Sequence, residues 1–144
     1  MNPETTMSSE LRILVEERVE RTLKGIEDTL RRILESQKIS LNDLKEDIQS
    51  LEESFNLLSQ KWNLEILYTL FLKITCSFNE LKNILGVNSR TLSDKLKGLT
   101  KYGYVERNVE AGPPLRVKYF LTKKGRNTAL LALPLLYYSS SSTS

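Results

Sequence analysis

The chain has 144 residues, with 21 Lys and Arg against 18 Asp and Glu, one Cys and no His, a size and balance that suit one compact domain with an appendage. Without His there are no Ser-His-Asp or Cys-His nucleophiles, no mixed-ligand zinc sites and no imidazole acid–base catalysis, and a single Cys makes neither an internal disulfide nor a thiolate metal cage. No stretch approaches the roughly 18 apolar residues of a membrane span, and the opening MNPETTMSSE lacks the basic, apolar and small-residue order of a signal peptide, so a cytoplasmic location with no membrane partner is expected.

Catalysis has little else to stand on. The six Gly form no phosphate-cradling loop, and adjacent carboxylates such as Glu16/Glu17, Glu46/Asp47 and Glu52/Glu53 splay around a helix instead of converging. Neither an enzyme nor a cofactor or metal site is expected. The charge is more informative. Residues 1–60 hold 8 Lys and Arg against 13 Asp and Glu, whereas residues 61–144 hold 13 against 5. Residues 82–126 alone carry 11 basic and 3 acidic side chains. An acidic module and a basic one share the chain, and only the second suits a polyanion.

In chain order, a first helix is predicted over about residues 8–38. Val19, Leu23, Ile26, Leu30 and Ile33 are spaced 4, 3, 4, 3 along it, an a/d seam, with Leu11, Leu14 and Val15 extending the stripe. Gly25 weakens it only slightly. A second helix is predicted over about residues 41–59, with its own seam at Leu44, Ile48, Leu51, Phe55 and Leu58. Ser40 and Asp43 form the cap between them, and Ile39 faces Leu44 as a hydrophobic staple. A first helix about 45 Å long overruns a small domain. Its stripe, with Leu44, Ile48 and Leu51, is therefore expected to meet a second copy of the chain, with an intramolecular hairpin as the alternative.

After Gln60 the pattern changes. KWNLEILYTLFL reads as a buried helix with Trp62, Ile66, Leu67, Leu70 and Phe71 on its apolar side. Ser77 and Glu80 form a capping box for FNELKNIL, Gly86 ends that helix, and Asn88 caps SRTLSDKLKGLTKYG, whose Leu92, Leu96 and Leu99 point inward. A short helix, a tight turn and an amphipathic second helix make a helix-turn-helix. YVERNV and RVKYFL, separated by a turn containing Gly112, Pro113 and Pro114, then make a hairpin, or wing. Val105, Val117, Tyr119 and Leu121 are expected to face the core, and Arg107, Arg116 and Lys118 solvent or DNA. Thr122 opens a last helix interrupted at Pro134, and the Ser-rich end is expected to be disordered. The predicted fold is mainly α with a small antiparallel β-hairpin. A long coiled-coil-like arm (1–60) precedes a winged helix-turn-helix domain (61–133), and the end of the last helix with its tail (134–144) follows.

Lys61-Trp62 with Ile66-Leu67, Phe78 with Glu80-Leu81, Thr91-Leu92-Ser93 with Leu96, and Leu99 stand in a recognisable order. Gly103-Tyr104-Val105 with Arg107, the Pro113/Pro114 pair, Tyr119, and Leu121-Thr122 with Gly125 continue it. As a set, over about residues 61–133, they resemble the HxlR family of winged-helix transcriptional regulators, close to the MarR-type architecture. The resemblance implies a dimeric DNA binder with dimer contacts from helices flanking the winged domain. The departure is the roughly 60 residues before Lys61, where the family usually has far fewer. Some members of that family sense electrophiles through a Cys nearer the N-terminus than Cys76. Here no His is available to acidify Cys76, and a buried structural thiol is expected.

The second helix of such a motif enters the major groove by its N-terminal part. Ser89, Arg90, Thr91 and Asp94 are then nearest the bases, with Lys95, Lys97 and Lys101 further along. Arg90 is the candidate for a guanine edge, and Asp94 is expected to pair with Arg90 or Lys97. Arg107, Arg116 and Lys118 are candidates for phosphate or minor-groove contacts, with Lys123, Lys124 and Arg126 as weaker ones. Most of Trp62, Tyr102, Tyr104, Tyr119, Tyr137 and Tyr138 are expected to pack in the core instead of lining an effector pocket. The expected activity is sequence-specific binding of double-stranded DNA by a homodimer on an inverted repeat, regulating transcription. The alternative is an adaptor whose arm binds another regulator or the transcription machinery.

Overall fold

A computed structural model describes residues 5–37 and 40–140. The helices are α1 (Thr5–Gln37), α2 (Leu41–Ser59), α3 (Asn63–Lys73), α4 (Phe78–Leu85), α5 (Ser89–Lys101) and α6 (Lys123–Ser139). The strands are β1 (Thr75–Cys76), β2 (Val105–Glu110) and β3 (Arg116–Leu121). They form two compact units, Glu52–Leu130 and one drawn from Met1–Leu51 with Leu131–Ser144. No helix among the described residues is long and apolar enough to cross a membrane.

The core of Glu52–Leu130 follows from the periodicities. Ile66, Leu67 and Leu70 of α3, Leu81 of α4 and Leu92, Leu96 and Leu99 of α5 are buried together with Cys76, Val87, Tyr104, Val105, Tyr119 and Ala129. Each buried aliphatic side chain contributes about 1.5–3 kcal/mol. Trp62, Phe71, Val117 and Leu121 pack against this core half-buried. Trp62 stands just outside α3 as its N-cap, with φ of 80°, and its N–H donates to Glu65 Oε2 at 3.1 Å. Asn63, buried, donates from Nδ2 to the Leu57 carbonyl at 2.7 Å, which also accepts from the Gln60 N–H at 3.2 Å, and so helps close the last turn of α2.

The sheet holds one strand more than the predicted hairpin. All its pairings are antiparallel in the order β1-β3-β2, with Cys76 opposite Tyr119 and Thr75 opposite Phe120. Two residues are too few to show alternation, so β1 carries no sequence pattern. Pro134 lies inside α6 instead of interrupting it. The proline removes the N–H that would bond to the carbonyl of Leu130. Lys38 and Ile39, including the expected staple, and residues 141–144 of the expected disordered tail lie outside the described residues. The Ser40 cap is formed, its Oγ accepting from the Asp43 N–H at 3.1 Å.

In the other unit, α1 and the second half of α6 face each other. Leu14, Val19, Leu23 and Ile26 of α1 and Leu131, Leu135 and Tyr138 of α6 line an apolar groove of about 720 Å³. Arg12 lies 5.8 Å from the Tyr137 ring. Part of the α1 stripe therefore looks toward α6 of its own chain, where Leu131 and Leu135 present a matching apolar row. The groove leaves the stripe open to solvent, with Leu14, Leu23 and Ile26 as well as Leu30 and Ile33 exposed.

Candidate nucleic-acid interface

The helix-turn-helix is set by its caps. Ser77 Oγ accepts from the Glu80 N–H at 3.1 Å, and Glu80 Oε1 accepts from the Ser77 N–H at 3.2 Å. The Ser77 N–H, then the Ser77 hydroxyl and the Lys118 ammonium, all hydrogen-bonded to it, hold the Glu80 carboxyl below its ordinary range. Gly86 closes α4 in the left-handed region at φ of 65°, where a side chain would be strained. Asn88 Oδ1 then accepts from the Thr91 N–H at 2.8 Å and starts α5. With Leu92, Leu96 and Leu99 buried, Ser89, Arg90, Asp94, Lys97 and Lys101 are exposed.

Thr122 joins the wing to this helix. Its Oγ1 donates to the Gly103 carbonyl at 2.6 Å, and it accepts from the Gly125 N–H at 2.9 Å, capping α6. Gly125 lies so close to the Tyr104 carbonyl that a Cβ would overlap it.

Three expected contacts are placed differently. Lys95 is half-buried and donates to Gln60 Oε1 at 3.1 Å. It lies on the flank of α5 shared by Thr91, itself half-buried, and away from Arg90 and Lys101. Asp94 forms no ion pair with Arg90 or Lys97. The pairs among the described residues are Arg31–Glu27 and Lys118–Glu80, and two exposed side chains gain little from being held together. Arg107 does not share a face with Arg116 and Lys118. It pairs directly with Tyr119, as Val105 does with Leu121 and Val109 with Val117, so it stands on the core-side face beyond the core's edge.

That register gathers a cluster. Arg107, Lys97 and Lys101 line a cleft of about 630 Å³ between α5 and the wing, floored by Phe78, Leu96, Val117 and Tyr119, with Ser93 and Thr100 along its wall. None of the three cations has a carboxylate partner among the described residues. On the opposite face Lys118 lies 3.4 Å from Glu80, and Arg116 is exposed across the ladder from Glu110. Lys124 donates to the Tyr102 carbonyl at 2.9 Å and lies 4.4 Å from the Tyr104 ring, and Arg126 lies 4.9 Å from the Phe71 ring. Both are engaged in packing the start of α6. Sequence reasoning missed Ser93 and Thr100 as cleft residues. Strand pairing parity, Val105 with Arg107, was the signal that would have placed Arg107.

Two helices joined by a capped turn, followed by a hairpin whose inner face adjoins the second helix, define a winged helix-turn-helix protein. The HxlR-like helix-turn-helix family matches residues 57–140, and the chain belongs to that family. It is 34% identical over 67 residues to the HTH-type transcriptional regulator YdzF of Bacillus subtilis strain 168, covering 46% of this chain and 62% of YdzF. The chain thus spans a little under two thirds of that curated relative. The reduced form of the transcriptional regulator YodB from B. subtilis is similar with a TM-score of 0.53 at 32% identity, over 62% of this chain and 86% of YodB. The redox regulator HypR in its reduced form is similar with a TM-score of 0.56 at 26% identity, over 62% of this chain and 89% of HypR. These relatives are regulators, not enzymes.

A redox regulator among the relatives turns attention to Cys76. The side chain is buried on β1. Burial, then the nearby Glu80 carboxylate, pushes the thiol above its ordinary pKa, which lowers the reactive thiolate fraction. Native protein is expected to react with a disulfide reagent such as DTNB at least about 100-fold more slowly than urea-unfolded protein at the same pH. Equal rates would show that β1 opens readily and would restore Cys76 as a sensor.

Proposed function

We propose that the protein is a homodimeric, sequence-specific regulator of transcription that acts in the cytoplasm on an inverted-repeat site in double-stranded DNA. The observation that carries this reading is the exposed face of α5, which carries Arg90, Lys97 and Lys101, with Lys97 and Lys101 adjoining Arg107 of the wing and none of the four cations in an ion pair among the described residues. Arg90 and Ser89, in the first turn of α5, enter the major groove, with Arg90 reading a guanine edge. Lys97, Lys101 and Arg107 hold phosphates, and Arg116 contributes from the tip of the wing. Lys118 is the weakest contact, because Glu80 already offsets its charge, and Lys95 and Thr91 support the helix from its flank. Asp94 accepts from a base amine or faces a gap in the phosphates. The exposed seams of α1 and α2 support the dimer, and two-fold symmetry then sets half-sites about one helical turn or a multiple apart.

The test is selection of bound sequences from random duplex DNA at about 150 mM salt, with Arg90→Ala in parallel. A palindromic motif is expected, and the variant should lose about 1–3 kcal/mol of discrimination at one base pair in each half-site. If no motif emerges and the variant binds as the parent does, the reading fails. The adaptor reading, in which the exposed α2 stripe meets another protein, then takes its place.

A further inference from the structure

The α2 helix presents an apolar row that no described residue covers. Ile48 is 51% exposed, Leu51 67% and Phe55 61%, with Leu44 completing the row, and no residue of the helix is buried. Most of the helix precedes Asn56, ahead of the residues matched by the family.

Its sequence says what would cover it. The row falls at heptad positions d, a, d, a for Leu44, Ile48, Leu51 and Phe55, so Lys45 and Glu52 occupy e, and Asp47 and Ser54 occupy g. Asp43, Glu46 and Glu53 lie away from the seam. In a parallel pair, g faces the e position of the next heptad, which sets Asp47 against the partner's Glu52 twice, a repulsion. In an antiparallel pair each a layer meets a d layer, so Leu44 packs on the partner's Phe55 and Ile48 on the partner's Leu51. The flanks then read e against e and g against g, placing Lys45 by the partner's Glu52 and Asp47 by the partner's Ser54. Every layer is apolar, both ion pairs are attractive, and the two-fold axis repeats each contact. Lys45 and Glu52 are exposed and have no ion-pair partner in their own chain among the described residues.

We propose that α2 is a self-complementary antiparallel dimer helix whose occupant is the α2 of a second copy, oriented by Lys45 and the partner's Glu52. This deepens the homodimer reading and rests on it.

The test is the dimer dissociation constant of the full chain, by sedimentation equilibrium, for Lys45→Glu, Glu52→Lys and the double variant, with circular dichroism to check helicity. The two single variants are each expected to weaken the dimer about tenfold, since each replaces two attractions with two repulsions. The double variant, with unchanged net charge, is expected to return within about threefold of the parent, and an equimolar mixture of the two single variants should form heterodimers. The sign for Glu52→Lys decides orientation. Tightening would mean that the substitution relieved Asp47, as in a parallel pair, and would overturn the proposal. A dimer indifferent to all three variants would place the interface elsewhere and overturn this proposal alone. A parent chain that is monomeric at micromolar concentration would overturn the homodimer reading with it.

Discussion

Gly125→Ala is expected to lower the stability of the winged unit by about 3 kcal/mol, a factor of roughly 150 in its folding equilibrium, measured by urea denaturation. Helix propensity alone predicts the opposite sign, since alanine is better than glycine inside a helix by about 1 kcal/mol. Packing decides the outcome. A Cβ at Gly125 would overlap the Tyr104 carbonyl, which is backbone and cannot swing aside as a long side chain would. The same carbonyl accepts the Thr122 N–H at 3.1 Å, so yielding at Tyr104 would also break the joint between the wing and α6. Gly25 is the internal control. It lies mid-way along α1 with nothing within 4 Å of a built Cβ, so Gly25→Ala is expected to stabilise by about 1 kcal/mol. If both substitutions stabilised, the close approach of α6 to Tyr104 would be wrong.

The contrast between these glycines also marks what the sequence could say. Gly86, Ser77, Glu80 and Asn88 announce their roles because capping is local: donor, acceptor and turn lie within a few residues of one another. The buried leucines of α3 and α5 are equally legible through their periodicity. Gly125 reads as an ordinary helix-start residue until Tyr104, far back in the chain, is brought against it. β1 is invisible for the same reason, since its two residues become a strand only by pairing with Phe120 and Tyr119. Among the candidate DNA contacts, exposure of Arg90, Lys97 and Lys101 followed from the wheel of α5. The diversion of Lys95 to Gln60 and of Lys118 to Glu80 did not, because each depends on a partner at least 35 positions away. Arg107 differs. Its face was readable by strand parity with Val105, and the cluster it makes with Lys97 and Lys101 then needed only the packing of the wing against α5.

That cluster gives the second large effect. Replacing Lys97, Lys101 and Arg107 together with alanine is expected to weaken binding to the selected DNA site about 100-fold at about 150 mM salt. The dependence of log K on log salt should become shallower by about 3, since each lost phosphate contact removes a slope of roughly 0.9. The selected motif should survive, because phosphate contacts position the protein without distinguishing bases. Arg90→Ala should do the reverse, blurring one base pair while leaving most of the salt slope intact. The wing supplies the comparison. Lys118→Ala removes one cation of the same kind from the neighbouring strand, opposite Asn108, but Glu80 lies 3.4 Å from it and already offsets its field, so a loss of less than about threefold is expected. All three are measured by fluorescence anisotropy across a salt series. If the triple variant lost no more affinity than Lys118→Ala, the cleft between α5 and the wing would not carry the backbone, and the phosphate path would have to run along the opposite face of the hairpin through Arg116.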